Sequence, residues 1–374
     1  SLINEDSSID WCCLPQFDSS AIFCKIIDNH IGGSFKIEAD ESYIITQQYI
    51  NNTAIVRTNF KNEKNEFEVL DFMTRYKLDD QNFYSPPEIQ RLIKPIKGLP
   101  KIKVLYNPTL EYANGKTKTY EKEDFIVSVF DEASYETLFL YTDIEKKKIL
   151  ENKEFELSKS VYLNLSYNEK IDLPSLSKSE GELKKTHEYW LNWCKKSPSF
   201  KSYNKEITRS SITLKLLTFE KTGAVLAAAT TSIPETIGEV RNWDYRFCWI
   251  RDASMVIKII AKLGHQRIVK NFIDFIVNLI PNKNEKLQIM YGIDGQKTLT
   301  EKILKHLSGY KNSKPVRIGN AAYIQKQNDI YGILVDAIHF QIEKFKDISY
   351  KHEQLWSIVK SVVWVVAVSY THLR

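Results

Sequence analysis

The stretch Arg241-Asn-Trp-Asp-Tyr-Arg-Phe-Cys-Trp-Ile-Arg-Asp252 holds three Arg, two Asp, two Trp, a Tyr and a Phe within twelve residues. A buried helix carries fewer charges, and a solvated loop rarely carries so many rings. Aromatic faces beside carboxylates and guanidinium forks suit a polyol such as a sugar ring. The rings cover its C–H faces and the charged groups hydrogen-bond its hydroxyls. Downstream, Val256, Ile259, Ile260 and Leu263 follow helical spacing and predict a core-facing stripe. Arg251 and Asp252 then lie near a helix N-terminus, where unpaired N–H groups and the dipole favour acceptors. A purely structural Arg–Asp pair that locks the loop fits the same residues, because such networks are common in folds without catalysis.

With its neighbour Thr230-Thr-Ser-Ile-Pro-Glu235, this stretch resembles the signature of glycoside hydrolase family 15. That family contains glucoamylases, glucodextranases and bacterial or archaeal trehalases. A second stretch, Ser8-Ile-Asp-Trp-Cys-Cys-Leu-Pro-Gln-Phe-Asp-Ser19, resembles the start of the trehalase-like N-terminal domain that precedes bacterial family 15 catalytic domains. Ile31-Gly-Gly33 and Val69-Leu-Asp-Phe-Met73 fit that domain too. On chemistry alone, Asp10, Trp11 and Asp18 could line a sugar pocket or simply form a buried turn.

The period of the chain changes once. Residues 1–167 read as β. Val161, Leu163 and Leu165 alternate with Tyr162 and Asn164, as in a strand with one buried face. Residues 124–130 and 137–142 are apolar on both faces, which suits stacked sheets. Tyr112-Ala-Asn-Gly115 carries a hairpin signal. An antiparallel β-sandwich is the predicted architecture. Residues 168–204 read as a linker rich in Lys, Ser and Glu that carries a helix. There Tyr189, Trp190 and Trp193 stand at helical spacing and read as packing.

From about 205 the period is helical. Ile212, Leu216 and Phe219 share a face, and the small residues of Gly223–Ala229 suit close helix packing. Ile268, Val269, Phe272, Ile276 and Leu279 predict a helix stopped by Pro281. Further helices are predicted over about 320–343 and 353–366. The resemblance implies an (α/α)6 toroid, of which residues 205–366 supply the N-terminal part. Residues 367–374 resemble translated adapter sequence, so a non-native tail is expected. The absence of an initial Met agrees with a fragment incomplete at both ends.

Composition excludes several classes. The 374 residues are 43% apolar and 26% charged, with 52 basic and 47 acidic side chains and a net charge of +5. These are ordinary values for a globular chain long enough for several domains. No basic block points to nucleic acid. No apolar run reaches the roughly 18 residues of a membrane span. Cys12, Cys13, Cys24, Cys194 and Cys248 are odd in number, and their spacing suggests neither a metal site nor a disulfide framework. Reduced thiols in a cytoplasm are expected, with no cofactor and no metal.

The resemblance implies an inverting exo-acting hydrolase of α-glucosides or oligosaccharides. Such chemistry needs a carboxylic acid for the leaving oxygen and a carboxylate base for water, roughly 6.5–9.5 Å apart. Trp249, Arg251 and Asp252 are its substrate-binding candidates, together with Asp294 in Met290-Tyr-Gly-Ile-Asp-Gly295 and Arg317 and Asn320 in Pro315-Val-Arg-Ile-Gly-Asn-Ala321. Each has a structural alternative. Asp294 suits an Asp-Gly turn, and Asn320 is a good N-cap type. In Gln325–Asp336 the family usually places Glu after Tyr-Gly, and this chain has Ile333. Asp329, one turn earlier on a similar face, is a further candidate, with a capping role as its alternative. The family's proton donor follows a Trp in a loop beyond the helix of Trp356 and Trp364. The chain leaves the pattern near 366, so neither acid nor base is assigned and an inactive fragment is expected. A non-catalytic carbohydrate-binding pseudoenzyme of the same fold is the alternative, and an unrelated α/α-barrel lyase or phosphorylase would need another loop signature.

Overall fold

In the computed structural model, residues 1–374 are described except 80–81, 132–134, 173, 280–286, 345–351 and 372–374. The chain forms two compact units. One is Ser1–Cys194 with His306–Asn312, and the other is Lys195–Lys305 with Ser313–Arg374.

The first unit is antiparallel β. A six-stranded sheet runs in the order Leu2–Ile3, Ile9–Cys13, Ser34–Glu38, Lys101–Asn107 and Phe155–Glu156, with Ala21–Phe23 paired to Ile9–Cys13. An eight-stranded sheet runs Thr117–Glu121, Ile126–Phe130, Thr137–Thr142, Val161–Tyr167, Glu88–Lys97, Glu66–Phe72, Val56–Lys61 and Ile44–Tyr49. Alternate side chains of the two sheets fill one core, with Ile9, Phe35 and Val104 from the first meeting Phe67, Ile93 and Leu163 from the second. Burying such side chains is worth about 1.5–3 kcal/mol each before entropy is counted. Arg91 ties the sheets inside that core. It pairs with Asp71 at 2.6 Å, and its other nitrogens donate to the carbonyls of Phe35 and Ser7.

Three local expectations change. Val161–Tyr167 is buried on both faces, not one. A helix, α1 (Leu176–Cys194), covers the second face through Leu176 and Leu183, and its Trp190 and Trp193 are packed as expected. Tyr112–Gly115 joins strands of different sheets, so it is not a hairpin. Glu111, Tyr112 and Ala113 all take left-handed φ there, and the Tyr112 hydroxyl donates to the Ser19 carbonyl at 3.0 Å. Trp11 is a core residue, 2% exposed, in the strand Ile9–Cys13.

The second unit is helical, with α2 (Asn204–Leu216), α3 (Ile250–Lys262), α4 (Gln266–Leu279), α5 (Asp329–Lys344) and α6 (His352–Thr371). Among the described residues its strands are pairs of two residues. Helix α4 buries every predicted residue of its stripe, while Pro281 lies outside the described residues. Helix α3 buries Ala253, Ile257 and Ile260 and leaves Ile259 49% exposed. The helix has apolar residues on more than one side, and spacing alone did not say which side is buried. Leu216 is likewise exposed, while Ile212 and Phe219 are buried.

Gly223–Ala229 is not helical. Thr218 and Val225 form a bridge, and Gly223 sits at φ +89° where a Cβ would lie 2.3 Å from the Asn271 backbone. The small residues serve close approach, as read, but of an extended chain. The predicted 320–343 helix is divided. Asn320 caps a short 3-10 turn, Ala321–Ile324, and α5 starts at Asp329. Residues Ala367–Thr371 continue α6, and 372–374 lie outside the described residues. Cys12, Cys24 and Cys248 are buried, and Cys13 and Cys194 are half-buried.

Candidate functional site

The Arg241–Asp252 stretch is built by its own backbone. Ala227 and Ala228 donate to the carbonyls of Phe247 and Tyr245 at 3.1 Å each, and Ser232 donates to Trp243 at 2.9 Å. Cys248–Trp249 then pairs with Met290–Tyr291, and α3 begins at Ile250 with Trp249 as its N-cap residue. Asp252 thus falls in the first turn, where the helix dipole favours a carboxylate.

Asp244 and Arg246 fill the structural role. Both are essentially unexposed, and the guanidinium grips the carboxylate with both forks, Nε to Oδ1 at 2.9 Å and Nη2 to Oδ2 at 2.8 Å. Gly319 N donates to Asp244 Oδ2 at 3.1 Å, and Asn320 Nδ2 donates to the Asp244 carbonyl at 3.0 Å. A planar, two-pronged pair of this kind fixes a loop that has no regular secondary structure.

Arg251 stands apart from that lock. Its Nη1 donates to Gln327 Oε1 and to Asp329 Oδ2, both at 3.3 Å, and its Nε lies 3.4 Å from Asp252 Oδ2. Its guanidinium is 5.9 Å from the centre of the Trp249 ring, and Tyr245 lies 5.9 Å from the same ring. The charged side chains are 35% (Arg251), 43% (Asp252) and 47% (Asp329) exposed. Exposed pairs of this kind add about 0–1 kcal/mol to stability. Their long hydrogen bonds are therefore cheap to exchange for those of a polyhydroxylated ligand. Among the described residues, the buried Trp249 Nε1 has no hydrogen-bond partner, and Asp252 Oδ2 has only its 3.4 Å ion pair with Arg251. Burial, then the negative charge of Glu235 and Asp252, pushes the Tyr245 hydroxyl up, so it stays a neutral donor.

The candidates therefore divide. Trp249, Arg251, Asp252 and Asp329 come together, the last from the start of α5. Arg317 belongs to a second network. Its ring-stacked guanidinium lies 4.3 Å from the centre of the Trp243 ring, donates to the carbonyls of Val240 and Asn242, and pairs with Glu301 at 3.1 Å. Asn320 spends both ends of its amide on Asp244 and on Ala322 N. Asp294 is exposed in a turn closed by Gly295 N to the Gly292 carbonyl at 3.0 Å. Gln327 and Tyr245 were not singled out from the sequence. Tyr245 had a signal, four residues before Trp249 in the same motif, whereas Gln327 had none.

Residues 201–372 match the model of glycosyl hydrolases family 15, and residues 1–157 match the trehalase-like, N-terminal model. The helical part is thus similar to family 15 over residues 201–372. The matched residues include all of the Arg251 cluster and the Asp244 lock. A trehalase of Thermoplasma acidophilum is 32% identical over 97% of this chain and 64% of its own length. A trehalase of Thermoplasma volcanium is 31% identical over 97% and 60%. One of Mycobacterium tuberculosis is 28% identical over 97% and 56%. The chain spans about three fifths of the length of these curated relatives. Among the described residues, no helix is long and apolar enough to cross a membrane.

Proposed function

We propose that this chain is the substrate-binding portion of a trehalase-like glycoside hydrolase, and that Arg251 is its central sugar contact. The observation that carries the reading is the sharing of Arg251 between Asp252 on α3 and Asp329 on α5, beside the Trp249 ring. A pyranose over that ring could take donors from Arg251 and Trp249 Nε1 and give its hydroxyl protons to the two carboxylates. The named trehalases support an α-glucoside as ligand. The fold we attach to this reading is the (α/α)6 toroid, and the compartment the cytoplasm.

Hydrolysis with inversion forms a bond from water oxygen to the anomeric carbon as the glycosidic C–O bond breaks. One carboxylate takes the water proton, and a carboxylic acid gives a proton to the leaving oxygen. Neither role is assigned to a residue of this chain, and Ile333 stands where the resembling segment has Glu. The 374 residues are therefore expected to bind without turning over.

The purified chain should be titrated calorimetrically with trehalose, maltose and isomaltose, with glucose release assayed in parallel. Loss of one charge-assisted hydrogen bond costs about 1.5–3 kcal/mol, so Arg251→Ala should weaken binding about 10–100-fold. Equal binding by wild type and Arg251→Ala would remove Arg251 from the site. Glucose release that vanishes in Arg251→Ala would show that the residues present suffice for catalysis.

A further inference from the structure

A group of buried oxygens in the first unit lies outside everything described above. Glu88 and Gln90 point to the same face of the strand Glu88–Lys97, since successive side chains alternate. Gln90 is directly opposite Asn164 in the neighbouring strand. Helix α1 packs on that face through Leu176 and Leu183, and Glu182 is the buried carboxylate beside Leu183 on it. The four residues are 4%, 2%, 4% and 8% exposed for Glu88, Gln90, Asn164 and Glu182. Asn164 Nδ2 donates to Glu88 Oε2 at 3.3 Å, and Gln90 Nε2 donates to Thr74 Oγ1 at 2.7 Å. Outward, Glu182 Oε1 takes Lys185 at 3.4 Å and the Tyr76 hydroxyl at 3.5 Å.

The remaining atoms share one property. Among the described residues, Gln90 Oε1, Asn164 Oδ1 and Glu182 Oε2 are buried without a hydrogen-bond partner, and each is an acceptor. An orphaned buried acceptor destabilises a fold, and native folds rarely gather several in one place. Burial is the main cause that pushes the nearby Tyr84 hydroxyl up to about 12, and Glu88 and Glu182 lie close enough to add to it.

We infer that Glu88, Gln90, Asn164 and Glu182 form a buried site for a hard metal cation, of which Ca²⁺ is the best fit. Two carboxylates and two amide oxygens, with no His or Cys, select hard ions over zinc or copper. Mg²⁺ holds several of its waters and suits open sites, whereas Ca²⁺ takes carboxylate and amide oxygens in a flexible shell. The ion would join α1 to the sheet, as its donors come from both. The sequence has no metal spacing to show here because the donors are scattered from residue 88 to residue 182. Nothing in this inference depends on the sugar site.

The test uses the full chain freed of metal with a chelator. Addition of Ca²⁺ at about 100 times its dissociation constant should raise the unfolding midpoint by about 5–10 °C. Glu88→Gln, which keeps the shape and removes the charge, should abolish that rise. Tb³⁺, a hard-ion substitute for Ca²⁺, should luminesce on tyrosine excitation through Tyr76 and Tyr84 and be displaced by Ca²⁺. That readout on the wild-type chain decides the matter if Glu88→Gln fails to fold. A midpoint unmoved by Ca²⁺, with no displaceable terbium signal, would overturn the site.

Discussion

Two Arg–Asp contacts within one twelve-residue stretch do different work because their surroundings differ. Asp244–Arg246 is sealed, so removing one partner strands a charge in a low-dielectric interior. Asp244→Ala should cost about 3–5 kcal/mol in urea unfolding followed by tryptophan fluorescence. Arg251 is half-exposed, and Arg251→Ala should change the same unfolding curve by less than about 1 kcal/mol. A sequence shows that both pairs are possible but not which is dry. The Trp-rich motif made Trp249, Arg251 and Asp252 legible, and helical spacing added Asp329. Asn320 was legible as a cap type, and the structure uses it so. Arg317 was not legible as a clamp, because its partners Trp243 and Glu301 meet it only through the path of an irregular loop.

At the level of elements, the change of period told β from helix, and the order of the two regions followed from it. Strand interiors such as Thr137–Thr142 were legible because their flanking turns bound them. What covers a strand was not legible, since the helix over Val161–Tyr167 is polar in composition and reads as a linker. The Gly223–Ala229 run shows the same limit, for small residues signal close approach without naming the conformation. Its geometry gives a sharp expectation. At φ +89° an added Cβ would meet the backbone of α4, which cannot move as a side chain can. Gly223→Ala should therefore destabilise the helical unit by more than the roughly 1 kcal/mol of an ordinary exposed glycine change. A lowered urea midpoint with an unchanged slope would be the signature, and a neutral result would mean that α4 shifts freely.

For the molecule as a whole, acid should act on the helical unit through His265. This side chain is 4% exposed, 2.9 Å from Ser197 Oγ, and burial with the charges of Lys196 and Lys215 pushes its pKa down to about 4 from 6.5. The unfolded chain binds the proton more readily than the folded one. The resulting stability is complete above pH 6.5 and is lost as pH falls toward 4, up to about 3 kcal/mol. Unfolding free energies of wild type and His265→Gln across that range check it, with a flatter profile expected for the variant. The buried cysteines have a different consequence, which concerns order in time. Cys12 and Cys24 lie in one unit and Cys248 in the other, and burial pushes all three thiols up, the latter two to about 12. Only the thiolate is alkylated, so each of these sulfurs stays silent until the structure around it opens. Cys13 and Cys194 should take up iodoacetamide first. Mass spectra of timed samples would then date each opening, and the chain would carry in its own side chains a clock that says which unit comes apart before the other.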